Sequence, residues 1–236
     1  MDVVDSLERF ARVLALDCEG RDGWRRLNQR LRPIARHLAI ADGKAAPLGR
    51  SCDMLVFVAE GCAKLVAQTP GGREQVVAFH FAGDLIDVPS RSDHAYAVFA
   101  TGGCEVLAFS RSDLLTAVRD EPAILEAVFS RIVDGLERCR ENAVNLGRKS
   151  ASERVASFLL TMARHGQRRP GGGLVIDLPM SRRDVSDCLG LTVETISRQI
   201  SELRKDGLIA TPCRSRVELL DAAELEVRAN HFASAA

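Results

Sequence analysis

Residues Ser181–Ile209, SRRDVSDCLGLTVETISRQISELRKDGLI, predict a helix-turn-helix followed by the start of a wing. The first helix is expected over about Arg182–Leu189. Gly190 supplies the backbone freedom of a tight turn, and Thr192 is a good N-cap for a second helix ending near Lys205. On that second helix Glu194, Ser197 and Arg198 stand at i, i+3 and i+4, so they share one face close to the helix N-terminus. Ile196, Ile200 and Leu203 fall on the opposite face, where they would pack on Val185 and Leu189. A helix that enters the major groove of DNA needs this split: its N-terminal side chains meet base edges while its apolar back holds it to the protein. An ordinary helical hairpin with solvated charges is the alternative reading.

The charge distribution points toward nucleic acid. Formal net charge is zero over 236 residues, yet residues 148–216 carry thirteen Lys/Arg against seven Asp/Glu, while residues 1–147 carry eighteen against twenty-one. A basic C-terminal module on a slightly acidic remainder is the footprint of a DNA-binding half, and the length allows two modest domains. The N-terminal MDVVDSLERFARVL is charged and amphipathic, unlike a signal peptide, and no apolar stretch approaches a membrane span. The seven cysteines (18, 52, 62, 104, 139, 188, 213) are scattered without a CxxC pair. They suit reduced thiols in the cytoplasm better than a disulfide framework or a zinc site, so no metal is expected.

Residues 1–41 read as mostly helical, with Leu7, Phe10, Leu14, Leu27, Leu31, Ile34 and Leu38 in rough helical spacing and a break at Gly20–Gly23. Short strand-like runs then alternate with glycine turns: Met54–Ala59, Ala63–Gln68, Gln75–Phe81, His94–Ala100 and Glu105–Phe109. That pattern predicts an antiparallel sandwich or barrel. Ser110 is expected to cap a brief helix, Asp113–Arg119. From Pro122 onward Leu125, Phe129, Ile132, Leu136, Cys139, Ala143 and Leu146 recur at spacings of 4, 3, 4, 3, 4 and 3, a heptad seam. It fits two parallel helices from two subunits; a single amphipathic helix packed on its own barrel would show a wider stripe. A helix over Glu153–Arg164, a loop tip at 168–173 and a strand at Leu174–Leu178 follow. Leu208–Thr211 and Val217–Leu220 make the wing, and the tail after Asp221 reads as a frayed helix.

The residues VETISR (Val193–Arg198), within that helix-turn-helix, resemble the FNR and FixK branches of the CRP/FNR family of bacterial transcription regulators. EGCAKLVAQTPGGREQVVAFHFAGDLI (Glu60–Ile86) and CEVLAF (Cys104–Phe109) are similar to its glycine-punctuated jelly roll. The resemblance covers roughly residues 48–219. It implies an α+β chain: a cyclic-nucleotide-binding-like β jelly roll with N-terminal helices (1–120), a long dimerisation helix (121–148) and a C-terminal winged helix-turn-helix (149–236). It also implies a homodimer on inverted repeats of the TTGA…TCAA type. Arg198 suits bidentate donation to guanine, Glu194 suits acceptance from cytosine N4, and Ser197 reaches a thymine or a phosphate. Arg182, Arg183, Thr192, Arg214 and Arg216 are the candidates for phosphate contacts. If the protein is an activator, RNA polymerase is a partner, met through the Thr69–Arg73 turn.

Cyclic-nucleotide-binding relatives hold the ribose with a Gly-Glu pair and the phosphate with Arg-Ser or Arg-Thr. Here no Glu lies between Glu74 and Glu105, and Arg91-Ser92 stands at the wrong offset beside Asp93, so cAMP dependence is not expected. An oxygen-labile cluster lacks ligands, because only Cys18 precedes Cys52; Cys52, Cys62 and Cys104 fall on separate barrel segments. Haem on His80 or His94, an unidentified small effector, or no ligand at all remain open. Cys188, in the first helix of the motif, and Cys139, on the seam, are the candidate redox thiols, set against a role as small apolar fillers. No phosphate-cradling loop, HExxH pair or nucleophile elbow supports an enzyme. The competing class is a ligand-receptor module whose helix-turn-helix serves as a protein interface.

Overall fold

Leu7 and Phe10 bury one stripe of the first helix, α1 (Val3–Val13), and Leu27 and Leu31 bury one side of α2 (Gly20–Leu31). The structure is a computed structural model describing residues 3–14, 20–168 and 174–230. It divides into two units, Met1–Cys139 and Arg140–Ala236. The expectation of helix as far as residue 41 fails after Leu31. Residues Arg36–Ile40 form a strand, β1, antiparallel to residues 104–108. Leu38 therefore belongs to a sheet, and local spacing could not show it because its partner Val106 is remote in sequence.

The remaining strands of the first unit are β2 (Met54–Gln68), β3 (Glu74–Phe81), β4 (Leu85–Val88) and β5 (Ala95–Ser110), in the order β1-β5-β2-β3 with β4 also on β2. The runs expected as four short strands are two long ones. β2 and β5 pair antiparallel from Met54↔Ser110 to Gln68↔Ala95. Gly61 and Gly102–Gly103 are not reversals; they lie at a bulge, with Gly61 opposite Cys104 and Cys62 opposite Thr101. The extra residues bend the ribbon, so β1 and β4 flank one half and β3 the other. Gly61 has φ +82°, and a Cβ there would collide with the carbonyl oxygen of Gly103. Gly61→Ala is expected to destabilise the first unit by about 1–3 kcal/mol, read as an earlier midpoint in chemical denaturation. An unchanged midpoint would show that the bulge tolerates a side chain.

Alternation along β2 feeds two cores. Leu55, Phe57 and Ala59 join Leu7, Phe10, Leu31, Leu107 and Phe109 beneath the helices. Val56, Val58, Ala63, Ile86, Val98, Val106 and Ala108 fill the sandwich interior. Period-two strands present such opposite faces, and here both are covered. Phe10 meets Phe57 edge-on with ring centroids 5.1 Å apart, and each fully buried Leu or Phe contributes about 1.5–3 kcal/mol. Helix α3 (Arg111–Val118) starts two residues earlier than expected. Ser110 stands at its N-cap position, but its hydroxyl meets that of Ser112 at 2.9 Å and caps no backbone N–H. Helix α4 (Pro122–Arg148) buries Ile124 and Val128 against this unit, and its Arg131 donates to the carbonyl of Val13 at 3.0 Å.

The second unit opens with α5 (Ala151–Ala163), begun by a reciprocal cap between Ser150 and Glu153. A four-stranded sheet of β6 (Gln167–Arg168), β7 (Leu174–Asp177), β8 (Ile209–Cys213) and β9 (Arg216–Leu219) runs in the order β6-β7-β9-β8. Most of the expected loop tip, residues 169–173, lies outside the described residues. Between β7 and β8 lie α6 (Arg182–Leu189) and α7 (Val193–Lys205). The tail is not frayed through residue 230. Helix α8 (Ala222–Arg228) is capped by Asp221, buries Leu225, and pairs Arg228 with Asp206 at 2.8 Å.

Candidate nucleic-acid interface

Ser181 and Asp184 cap each other at the start of α6, and Gly190 ends that helix in the left-handed conformation, φ +61°. Leu191 N–H closes the turn on the carbonyl of Ser186 at 3.0 Å. Thr192 then accepts the amide of Thr195 at 3.2 Å and starts α7. Val185, Leu189, Ile196, Ile200 and Leu203 are all buried, which fixes the rotation of α7 about its own axis. Glu194, Ser197 and Arg198 consequently face water. Among the described residues, neither Glu194 nor Arg198 makes an ion pair or side-chain hydrogen bond, although they are one turn apart. The Ser197 hydroxyl donates to the carbonyl of Val193 at 2.9 Å, so its outward lone pairs are left as acceptors.

The five residues read as phosphate contacts separate into distinct roles. Arg182, at the first position of α6, is half-buried, and both that burial and the neighbouring Arg214 charge lower its guanidinium pKa. Arg183 and Arg214 are exposed. Arg216 is already engaged, since its Nε donates to Asp177 at 2.7 Å, and that partner raises its pKa. The Thr192 hydroxyl is occupied as a cap.

The seam on α4 is bare along its middle. Phe129 is 68% exposed, Ile132 37% and Leu136 47%, with Cys139 and Ala143 also exposed. Its two ends differ from the expectation. Leu125 packs on the core beneath the helices, and Leu146 is half-buried against Gly190.

Among the candidate thiols, Cys188 is 6% exposed and burial pushes its pKa up to about 12. This burial favours the reading of Cys188 as an apolar filler of the helix-turn-helix over that as a redox thiol. Cys139 is exposed. The thiol sequence reasoning passed over is Cys213, exposed on the wing; hydrogen bonds from Ser215 and the charge of Arg216 lower its pKa. Cys62 and Cys104 are buried, and Cys18 lies outside the described residues. His80 is buried in β3, its Nδ1 3.7 Å from Asp84, whose other oxygen meets Arg138 at 3.4 Å. His94 lines a separate cavity of about 440 Å³ with Arg50, Thr69, Ser90 and Tyr96, a lining that does not include His80.

A family model of the Crp-like helix-turn-helix domain matches residues 153–228, and one of the cyclic nucleotide-binding domain matches residues 48–121. The chain is 34% identical to nitrogen fixation regulation protein FixK of Bradyrhizobium diazoefficiens, over 73% of this chain and 72% of that protein. It is 34% identical to transcriptional activator protein FnrL of Cereibacter sphaeroides, over 75% and 73% respectively. The solved structure of FixK2 from Bradyrhizobium japonicum aligns with a TM-score of 0.72 at 28% identity, covering 85% of this chain and 100% of that one. A CooA mutant from Carboxydothermus hydrogenoformans, TM-score 0.69 at 19% identity over 83% and 88%, repeats the fold. No helix among the described residues is long and apolar enough to cross a membrane. Recognition helix, wing and jelly roll thus coincide with those of transcription regulators, not enzymes, and the chain belongs to the FNR/FixK-like branch of the CRP/FNR family.

Proposed function

We propose that this DNA-binding transcription regulator acts as a twofold homodimer on inverted repeats of the TTGA…TCAA type, without cAMP. The observation that carries this reading is the exposed Glu194–Ser197–Arg198 face, with Glu194 and Arg198 unpaired among the described residues, on a helix held by its buried back. Arg198 reads guanine and Glu194 cytosine, and the bare stripe from Phe129 to Ala143 supplies the subunit contact. Asp87 closes β4 in an ion pair with Arg111 at 3.2 Å, and Arg91, Ser92 and Asp93 are exposed on the next loop. This arrangement supports the reading without a cyclic-nucleotide phosphate seat. The relatives named as activators support activation, and the exposed residues of the Thr69–Arg73 turn are the surface offered to RNA polymerase.

Gel-shift titration against an inverted TTGA repeat and a scrambled duplex at matched salt tests the proposal. Equal affinity for the two would favour the competing reading, a receptor module whose helix-turn-helix meets protein. Salt dependence separates the two wing arginines. Arg214→Ala should flatten the slope of log affinity against log salt by about 2 for the dimer, one released counterion per subunit. Arg216→Ala should flatten it less, because Asp177 already neutralises that guanidinium. Equal slopes for both variants would contradict the assignment.

A further inference from the structure

Helix C-termini leave carbonyls that need donors, and in the second unit one side chain serves two of them. Arg154 Nη2 donates to the carbonyl of Leu146, in the last turn of α4, at 2.7 Å. Its Nε donates to Lys149, in the connector to α5, at 2.9 Å. Its Nη1 donates to Leu189, the last residue of α6, at 3.0 Å. Where Arg111, Arg138, Arg216 and Arg228 pair with aspartates, Arg154 meets no carboxylate among the described residues. The negative ends of two helices balance its charge. The cap between Ser150 and Glu153 fixes the first turn of α5 from which it projects. The turn of the DNA-binding motif closes over it: a Cβ on Gly190 would lie 3.4 Å from Leu146 Cδ2 and 3.7 Å from Arg154 Nη1. Two residues further, Thr192 caps α7.

We propose that Arg154 is a positioning residue that sets the separation of the two recognition helices, by locking the end of the seam helix to the turn from which α7 starts. The inference rests on the dimeric DNA-binding reading above. A planar guanidinium presents its donors in fixed directions and holds three carbonyls at once. A lysine ammonium has three donors, but they radiate from one nitrogen on a flexible stem and cannot match carbonyls met by three separate nitrogens. With the lock intact, the α6–α7 turn follows the last turn of α4, the helix that carries the subunit contact. Without it, each recognition helix still reads its half-site, but the distance between half-sites is no longer enforced.

The test uses full-length Arg154→Lys beside wild type, at matched salt, on three duplexes. One carries the inverted repeat at the spacing wild type prefers, one the same repeat with a base pair inserted, and one a single half-site. The variant is expected to remain dimeric by mass and to keep its half-site affinity. Its affinity for the preferred spacing should fall by about tenfold or more, the scale of a lost charge-assisted hydrogen bond, with little change on the altered spacing. A uniform fall on all three duplexes, or discrimination between spacings equal to wild type, would overturn the proposal. Wild type that prefers no inverted repeat would instead refute the DNA-binding reading, and this inference with it. Should Arg154→Lys fail to fold, the wild-type guanidinium protons decide by nuclear magnetic resonance. Slowly exchanging, separately resolved Nη protons support the lock, and a freely rotating, averaged group overturns it.

Discussion

On the proposed twofold arrangement, Leu136→Glu is expected to give a monomer and to reduce binding to a palindrome to that of a single half-site, while leaving each subunit folded. The position is 47% exposed within one chain, so a carboxylate there costs the monomer little. Helix α4 is held to its own unit by other residues, Ile124 and Val128, and by Arg131. In a twofold seam the same change removes two leucines and sets two carboxylates across the axis. Each leucine is already about half-buried in the single chain, so losing the rest of the burial for the pair costs about 1.5–3 kcal/mol. That raises the dimer dissociation constant by about one to two orders of magnitude before the facing carboxylates add their repulsion. Sedimentation should give a monomer mass at micromolar concentration. Gel shifts on the inverted repeat should fall to the level of an isolated half-site. A variant that stays dimeric would place the subunit contact elsewhere than on this helix.

Arg198→Ala is expected to cost about 1–3 kcal/mol at each half-site, and so about 2–6 kcal/mol on a full palindrome. Discrimination at the contacted G·C pair should relax while preferences elsewhere in the site persist. Because Arg198 is exposed and makes no ion pair or side-chain hydrogen bond among the described residues, truncation should cost no internal pairing and thermal stability should not move. Binding to a set of half-sites permuted one base at a time separates the outcomes. A uniform loss across the permutations would make Arg198 a backbone contact; no loss would remove it from the interface.

What could be read from the linear chain was whatever local pattern specifies. Gly190, Thr192 and the spacing of Ile196, Ile200 and Leu203 predict the turn between α6 and α7 and the course of α7, because caps and periodicity act within one or two turns. The heptad of α4 was legible for the same reason. The misreadings involve partners far along the chain. Gly61 and Gly103 look like turn residues until their strands are seen to oppose each other at a bulge, and Leu38 fits a helical stripe until β5 claims it. Within the site, the shared solvent-facing side of Glu194, Ser197 and Arg198 follows from helix geometry alone. The engagement of Arg216 by Asp177, the burial of Cys188 and the three carbonyls around Arg154 are tertiary facts with no short-range signature.

The two-sided burial of β2 has a consequence for dissecting the protein. The match to the cyclic nucleotide-binding domain begins at residue 48, yet α1 and α2, which lie before it, cover Leu55, Phe57, Leu107 and Phe109. A fragment trimmed to that boundary would strip the lid from a broad greasy face bordered by strand edges and is expected to clump on expression. On this expectation the upstream helices keep the strands soluble, and the folding unit extends well outside the boundary of the recognisable motif.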